Sequence, residues 1–225
     1  MKTTLYGFFL TLVIVLSGCS QTEIDRIEPE PPAPSEQEEM DQASEEEITS
    51  DHDEKPEEQI LTLEETADTI VHLLKDHDMK GVADFIHPTD GVRFSPYGYI
   101  DVDNDQVFSA EEVKNLWEDE TVYHWGSLDG TGEPIDKTFP EYYERFVYDE
   151  DYANAEETAV DERLGHGNTL DNTKEVYPSA SVVEFHFSGF EEQYEGMDWR
   201  SLRLVLKEED DKWYLVSIIH DEWTT

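Results

Sequence analysis

Cysteine occurs once in 225 residues, so no disulfide can close within the chain and a disulfide-stapled scaffold is excluded. Basic residues are scarce: 15 Lys+Arg stand against 56 Asp+Glu, a formal net charge of −41. Phosphate backbones would repel such a chain, which argues against nucleic-acid partners. No apolar run reaches the ~20 residues that a bilayer-crossing helix needs. The sequence also lacks a GxSxG nucleophile elbow, HxH or HExxH spacing and a phosphate-cradling glycine loop, which removes the common serine-hydrolase, zinc and nucleotide signatures. The length fits one folded domain plus accessory segments.

What is present begins at the N-terminus. Lys2 supplies a positive charge, and an apolar run from Leu5 to Leu16 is broken only by Gly7 and Thr11. This run has the length of a signal-peptide core. It ends in Leu16-Ser17-Gly18-Cys19, which resembles the lipobox of bacterial lipoproteins. The resemblance covers only these first residues. It implies cleavage just before Cys19, a diacylglyceryl group on the Cys19 thiol, and a mature protein anchored to the cell membrane on its extracytoplasmic face, not spanning it. Residues 1–18 would then be a signal peptide. Two acyl chains hold a protein far more firmly than one.

Residues 19–60 read as the lipidated cysteine followed by a disordered tether. Positions 20–60 hold 16 acids, 2 bases and five prolines, with no aromatic residue. Such a composition cannot bury enough apolar surface to offset chain entropy. A flexible chain of this length spans roughly 35–40 Å, and more when like charges extend it.

Residues 61–225 read as a single domain. All five Trp lie here, with 40 acids against 12 bases. A carboxylate-rich surface stays hydrated and suits an alkaline or saline exterior, where Lys side chains approach their pKa. Apolar periodicity predicts helices over 63–78, 80–86, 110–117 and 140–148, and a weakly patterned one over 151–164. Thr62/Glu65 and Ser109/Glu112 have capping-box spacing, and residues 91–97 read as extended. Strands follow over 182–187, 199–207 and 213–220, the last with Leu215, Ser217 and Ile219 on one side and Val216 and Ile218 on the other. Helices first and strands last predict an α+β fold, with N-terminal helices packed on a curved C-terminal antiparallel sheet. That element order is similar to the nuclear-transport-factor-like and cystatin-like cone folds. The phrases His87-Pro88, Gly91-Val92-Arg93-Phe94-Ser95, Trp213-Tyr214-Leu215-Val216 and His220-Asp221 resemble, taken together, lipoproteins of Gram-positive bacteria, a resemblance that implies no activity.

Two constellations could carry chemistry. Asp101, Asp103, Asp105 and Glu112 stand at positions 1, 3, 5 and 12 of an EF-hand-type loop, so calcium is the one cofactor the sequence suggests. Gln106 stands where that loop needs Gly, and Glu112 has the competing task of pairing with Ser109. His87, Arg93, Tyr97, His124 and Trp125 interleave polar and aromatic groups and form the candidate pocket. His220-Asp221 ends a strand, but adjacent strand residues face opposite sides, and His166 lies in a glycine-flanked loop. The leading expectation is a non-enzymatic domain that binds a small molecule, peptide or cell-wall component. A calcium-binding module and a hydrolase using His220 or His166 are the alternatives.

Overall fold

The structure is a computed structural model that describes residues 60–224. The expected signal peptide, Cys19 and the expected tether lie outside the described residues. Everything below concerns the compact unit Glu54–Thr225, within that range.

Helix α1 (Leu63–Lys75) starts where the sequence predicts. The Thr62 hydroxyl accepts from the Glu65 N–H at 3.3 Å, and the Glu65 carboxylate accepts from the Thr62 N–H at 2.9 Å. Its stripe Ala67, Ile70, Val71 and Leu74 is buried. It ends three residues early because His77 turns left-handed, with φ 56°. The N–H groups of His77 and Asp78 then close on the carbonyls of Leu74 and Leu73, a Schellman ending. Helix α2 (Met79–Ala83), capped by Asp78, is also shorter than expected, since Phe85–His87 leaves to bond alongside Leu215. Helices α3 (Ala110–Val113) and α4 (Phe139–Phe146) carry capping boxes from Ser109/Glu112 and Thr138/Glu141. Helix α5 (Thr173–Val176) is a single turn.

Strands β1 (Val92–Ser95), β2 (Gln106–Phe108), β5 (Glu157–Val160), β6 (Ser181–Phe187), β7 (Arg200–Glu209) and β8 (Lys212–Glu222) form one sheet in the order β2-β1-β8-β7-β6-β5. Strands β3 (Tyr123–Ser127) and β4 (Pro134–Lys137) form a separate pair. The fold is α+β with a mostly antiparallel sheet; β1 runs parallel to β8, which the expected all-antiparallel sheet did not include. The weak helix expected over 151–164 is instead a 3-10 turn (Tyr152–Asn154) and edge strand β5. Pairing with β6 outweighs a weak local pattern. The β7–β8 hairpin turns at Asp210 and Asp211, both with positive φ, which matches the right-handed strand twist.

The two faces of the sheet differ. Leu202, Leu204 and Leu206 join Val183, Phe185, Leu215 and Ile218 against α1 and α4. Ile100, Ala180, Val205, Val216 and Ile219 form a smaller cluster of their own. The expected grouping of Leu215 with Ile219 fails because β8 carries a bulge: Leu206 pairs with Leu215, but Val205 pairs with Ser217. The extra residue, Val216, reverses the side on which every later residue lies.

Candidate functional site

The region around β1, β2 and β3 is closed on the inside by aromatic packing. Trp125 stacks on Tyr142 with ring centroids 3.9 Å apart, and Phe94, Phe108 and Phe139 meet them edge-on or tilted. Trp125 is fully buried and its Nε1–H donates to the Lys137 carbonyl at 2.9 Å. It is core, not pocket lining, which corrects one sequence expectation.

Outside this packing lies an open cleft of about 800 Å³. Pro96, Tyr97 and Tyr99 after β1 form one wall, with Asp101, Asn104 and Asp105 before β2. His124 and the β3–β4 hairpin, including Asp129, form another, and Asn168–Leu170 closes a third side. Of the five expected pocket residues, Tyr97 and His124 line this cleft. His87 and Arg93 do not. His87 is buried at the β7–β8 hairpin end, where its Nδ1 accepts from the Asp90 N–H at 3.0 Å and its Nε2 lies 2.7 Å from Glu209. A backbone donor at Nδ1 makes Nε2 the protonated nitrogen. Arg93 spends its guanidinium on the carbonyls of Val102 and Asp105, holding the loop before β2.

The four expected calcium carboxylates are not gathered. Glu112 accepts from the Ser109 N–H at 2.8 Å and from its hydroxyl at 2.7 Å, as the partner of Ser109 in the capping box of α3. Asp103 is exposed and lies outside the cleft lining. Asp101 accepts from Asp103 N–H and Asn104 Nδ2–H in its own loop. Among the described residues no group of three or more His, Cys, Asp or Glu side chains is placed to hold a metal ion.

Asp105 differs from these. It is 9% exposed. The Ser95 hydroxyl donates to its Oδ2 at 2.5 Å and the Asp101 N–H donates to the same oxygen at 3.1 Å. Burial lifts its carboxyl to about 7, against the lowering effect of those hydrogen bonds and of Arg93. His124 stands on the half-exposed cleft wall with its Nδ1 2.8 Å from Asp136, its cross-strand partner. Burial pushes the Tyr97 phenol upward.

The residues suggested for a hydrolase lie elsewhere. His220 is fully buried. Its ring nitrogens face the Pro96 carbonyl at 3.3 Å and Asp149 at 3.1 Å, which fixes the ring beneath α4 and away from the cleft. Asp221 points to the other face, where Arg203 and Arg163 donate to its Oδ2. His166 is exposed. Arginine pairing is structural throughout: Arg145 and Arg200 bind Glu222, and Arg203 also meets Asp171. Sequence reasoning did not single out Asp129 or Asn168–Leu170 for the cleft, since each reaches it through a loop whose path carries no local signal.

No protein-family model matches the chain, and no curated protein matches it. One solved structure, from Xanthomonas campestris, described as a calcium/calmodulin dependent protein kinase II association domain, shares 17% identity. The match covers 71% of this chain and 83% of that one at a TM-score of 0.29, too low to carry an argument. Among the described residues no helix is long and apolar enough to cross a membrane.

Proposed function

We propose that the chain is a lipoprotein, anchored by lipid on Cys19 to the extracytoplasmic face of the cell membrane, whose α+β domain is a non-enzymatic binding module. In this reading residues 1–18 are removed, the acidic tether spaces the domain from the bilayer, and the helices pack on a curved sheet of cone type. The observation that supports binding is the open cleft of about 800 Å³ with two tyrosines, a histidine and a buried carboxyl on its walls. Ligand sites of this kind combine aromatic faces with a few placed polar groups. Its volume suits capture of a small molecule, peptide or wall fragment; His220 is buried within β8 and His166 is exposed on a loop, and neither lines the cleft.

The test is an NMR screen of small molecules and short peptides against the full mature chain. Ligands should shift Tyr97, Tyr99, His124 and Asp105 first, and Ser127→Trp, which places an indole on the cleft wall, should abolish those shifts. Hits that scatter over the surface or survive Ser127→Trp would contradict the proposal.

A further inference from the structure

The chemistry of the cleft walls narrows the ligand class. Three carboxylates line it, from Asp101, Asp105 and Asp129, and no Lys or Arg does. Asp101 and Asp129 already accept hydrogen bonds within their own turns, so they contribute field without a free directed acceptor. Asp105 contributes both. Ser95 and Asp101 converge on its Oδ2, and its Oδ1 takes no hydrogen bond from the described residues. A nine-tenths buried side chain that lines the cleft thus keeps one carboxylate oxygen unused among the described residues. The Tyr142 hydroxyl is fully buried and has no hydrogen-bond partner among the described residues; burial first, then the charges of Asp105 and Tyr97, push its phenol upward. Tyr97 and the half-exposed Tyr99 line the same cleft.

We propose that the cleft recognises a protonated amine, with the ammonium group donating to Asp105 Oδ1 and its alkyl chain lying along Tyr97 and Tyr99. The inference rests on the cleft being the binding site. An anion would meet three carboxylates and no cation. A small divalent ion would need the carboxylates gathered, and they are not. A neutral ligand would add no counter-charge beyond Arg93 to the buried Asp105 carboxylate, and a poorly compensated buried charge costs free energy. An ammonium group supplies that charge and up to three donors, and an electron-rich ring face attracts it further. The excess negative charge of the domain steers cations towards it.

Recognition of this kind depends on pH. The groups around Asp105 are Arg93 and Ser95 of β1, Asp101 of the preceding loop, Tyr142 of α4 and His124 of β3. Asp105 must ionise to bind, and burial delays that ionisation to near-neutral pH.

The experiment is calorimetric titration of the full mature chain with spermidine at physiological salt. One site per chain is expected, with affinity about tenfold weaker at about pH 6 than at about pH 8, the drop in ionised fraction for a group titrating midway. Asp105→Asn should weaken binding at least about tenfold at the higher pH, and Tyr99→Ala about threefold. His124→Gln should keep the pH profile, and Glu175→Gln on α5 should change nothing. Should Asp105→Asn fail to fold, the pH profile of the unmodified chain and Tyr99→Ala decide. Diffuse multi-site binding, a flat pH profile or full affinity in Asp105→Asn would overturn the proposal. If the NMR screen finds cleft ligands that are all neutral or anionic, the amine proposal falls while the binding cleft stands; if nothing shifts the cleft, both fall.

Discussion

The Ser95 hydroxyl lies 2.5 Å from Oδ2 of Asp105, joining the end of β1 to the start of β2 from inside the sheet edge. Ser95 itself is fully buried. The carboxyl is therefore held by one strand at a depth where its charge is poorly solvated, with one oxygen left for the cleft.

That placement carries a stability cost with a definite sign. Burial lifts the Asp105 carboxyl in the folded state to about 7, against 3.8 for an ordinary aspartate. Between those values the folded state keeps a proton that the unfolded state has released, so stability falls as pH rises through the window. The contribution is on the order of 4 kcal/mol. Asp105→Asn keeps an oxygen for Ser95 and Asp101 but removes the ionisation. Urea unfolding should show the variant more stable than the native chain above about pH 7 and a flatter profile between about pH 4 and pH 7.

Asp149 behaves in the opposite way. Burial alone would raise its carboxyl, but His220, Tyr152 and Arg200 pull it down to about 2. Its stabilising contribution is complete above the unfolded value of 3.8 and is lost as pH falls through about 2. Asp149→Asn should cost about 3 kcal/mol at neutral pH, because it leaves His220 and Arg200 short of a counter-charge. The unfolding free energies of the two proteins should converge as the pH approaches 2.

Gly98 is irreplaceable for a steric reason. A Cβ there would lie 2.7 Å from Arg203 Nη2 and 2.8 Å from Asp221 Oδ2. Both belong to a buried ion pair whose side chains are at most 2% exposed. Gly98→Ala should destabilise the domain by about 2–3 kcal/mol in denaturant melts, since neither partner can retreat without breaking the pair.

Glu112 tests the calcium expectation. Glu112→Ala removes the reciprocal half of the α3 capping box and should cost about 1 kcal/mol, and millimolar calcium should leave the melting temperature of the native chain unmoved. A calcium-dependent rise that Glu112→Ala abolishes would restore the EF-hand-type reading.

Much of the domain was legible because its signals are local. The Thr62/Glu65 and Ser109/Glu112 boxes announce their helices, and the alternation of Leu202, Leu204 and Leu206 announces β7. The parts that were not legible depend on residues distant in sequence. Nothing near β1 indicates that it runs beside β8, and nothing near Val216 marks the bulge that sends Leu215 and Ile219 to different clusters. The site divided in the same way. Tyr97 and His124 reach the cleft, but Trp125 is taken by Tyr142, and His87 by Glu209 across 122 residues. Asp105 was legible as a carboxylate of a regular acidic series; its burial against Ser95, which sets its chemistry, was not.

The central claim is that this cleft is carried outside the cell on a lipid at Cys19. Intact-mass analysis of the protein extracted from membranes tests it most directly. A chain beginning at Cys19 with a diacylglyceryl modification, and a Cys19→Ala variant released from the membrane fraction, are the predicted results. A soluble intracellular chain that still begins at Met1 with an unmodified thiol would contradict the account.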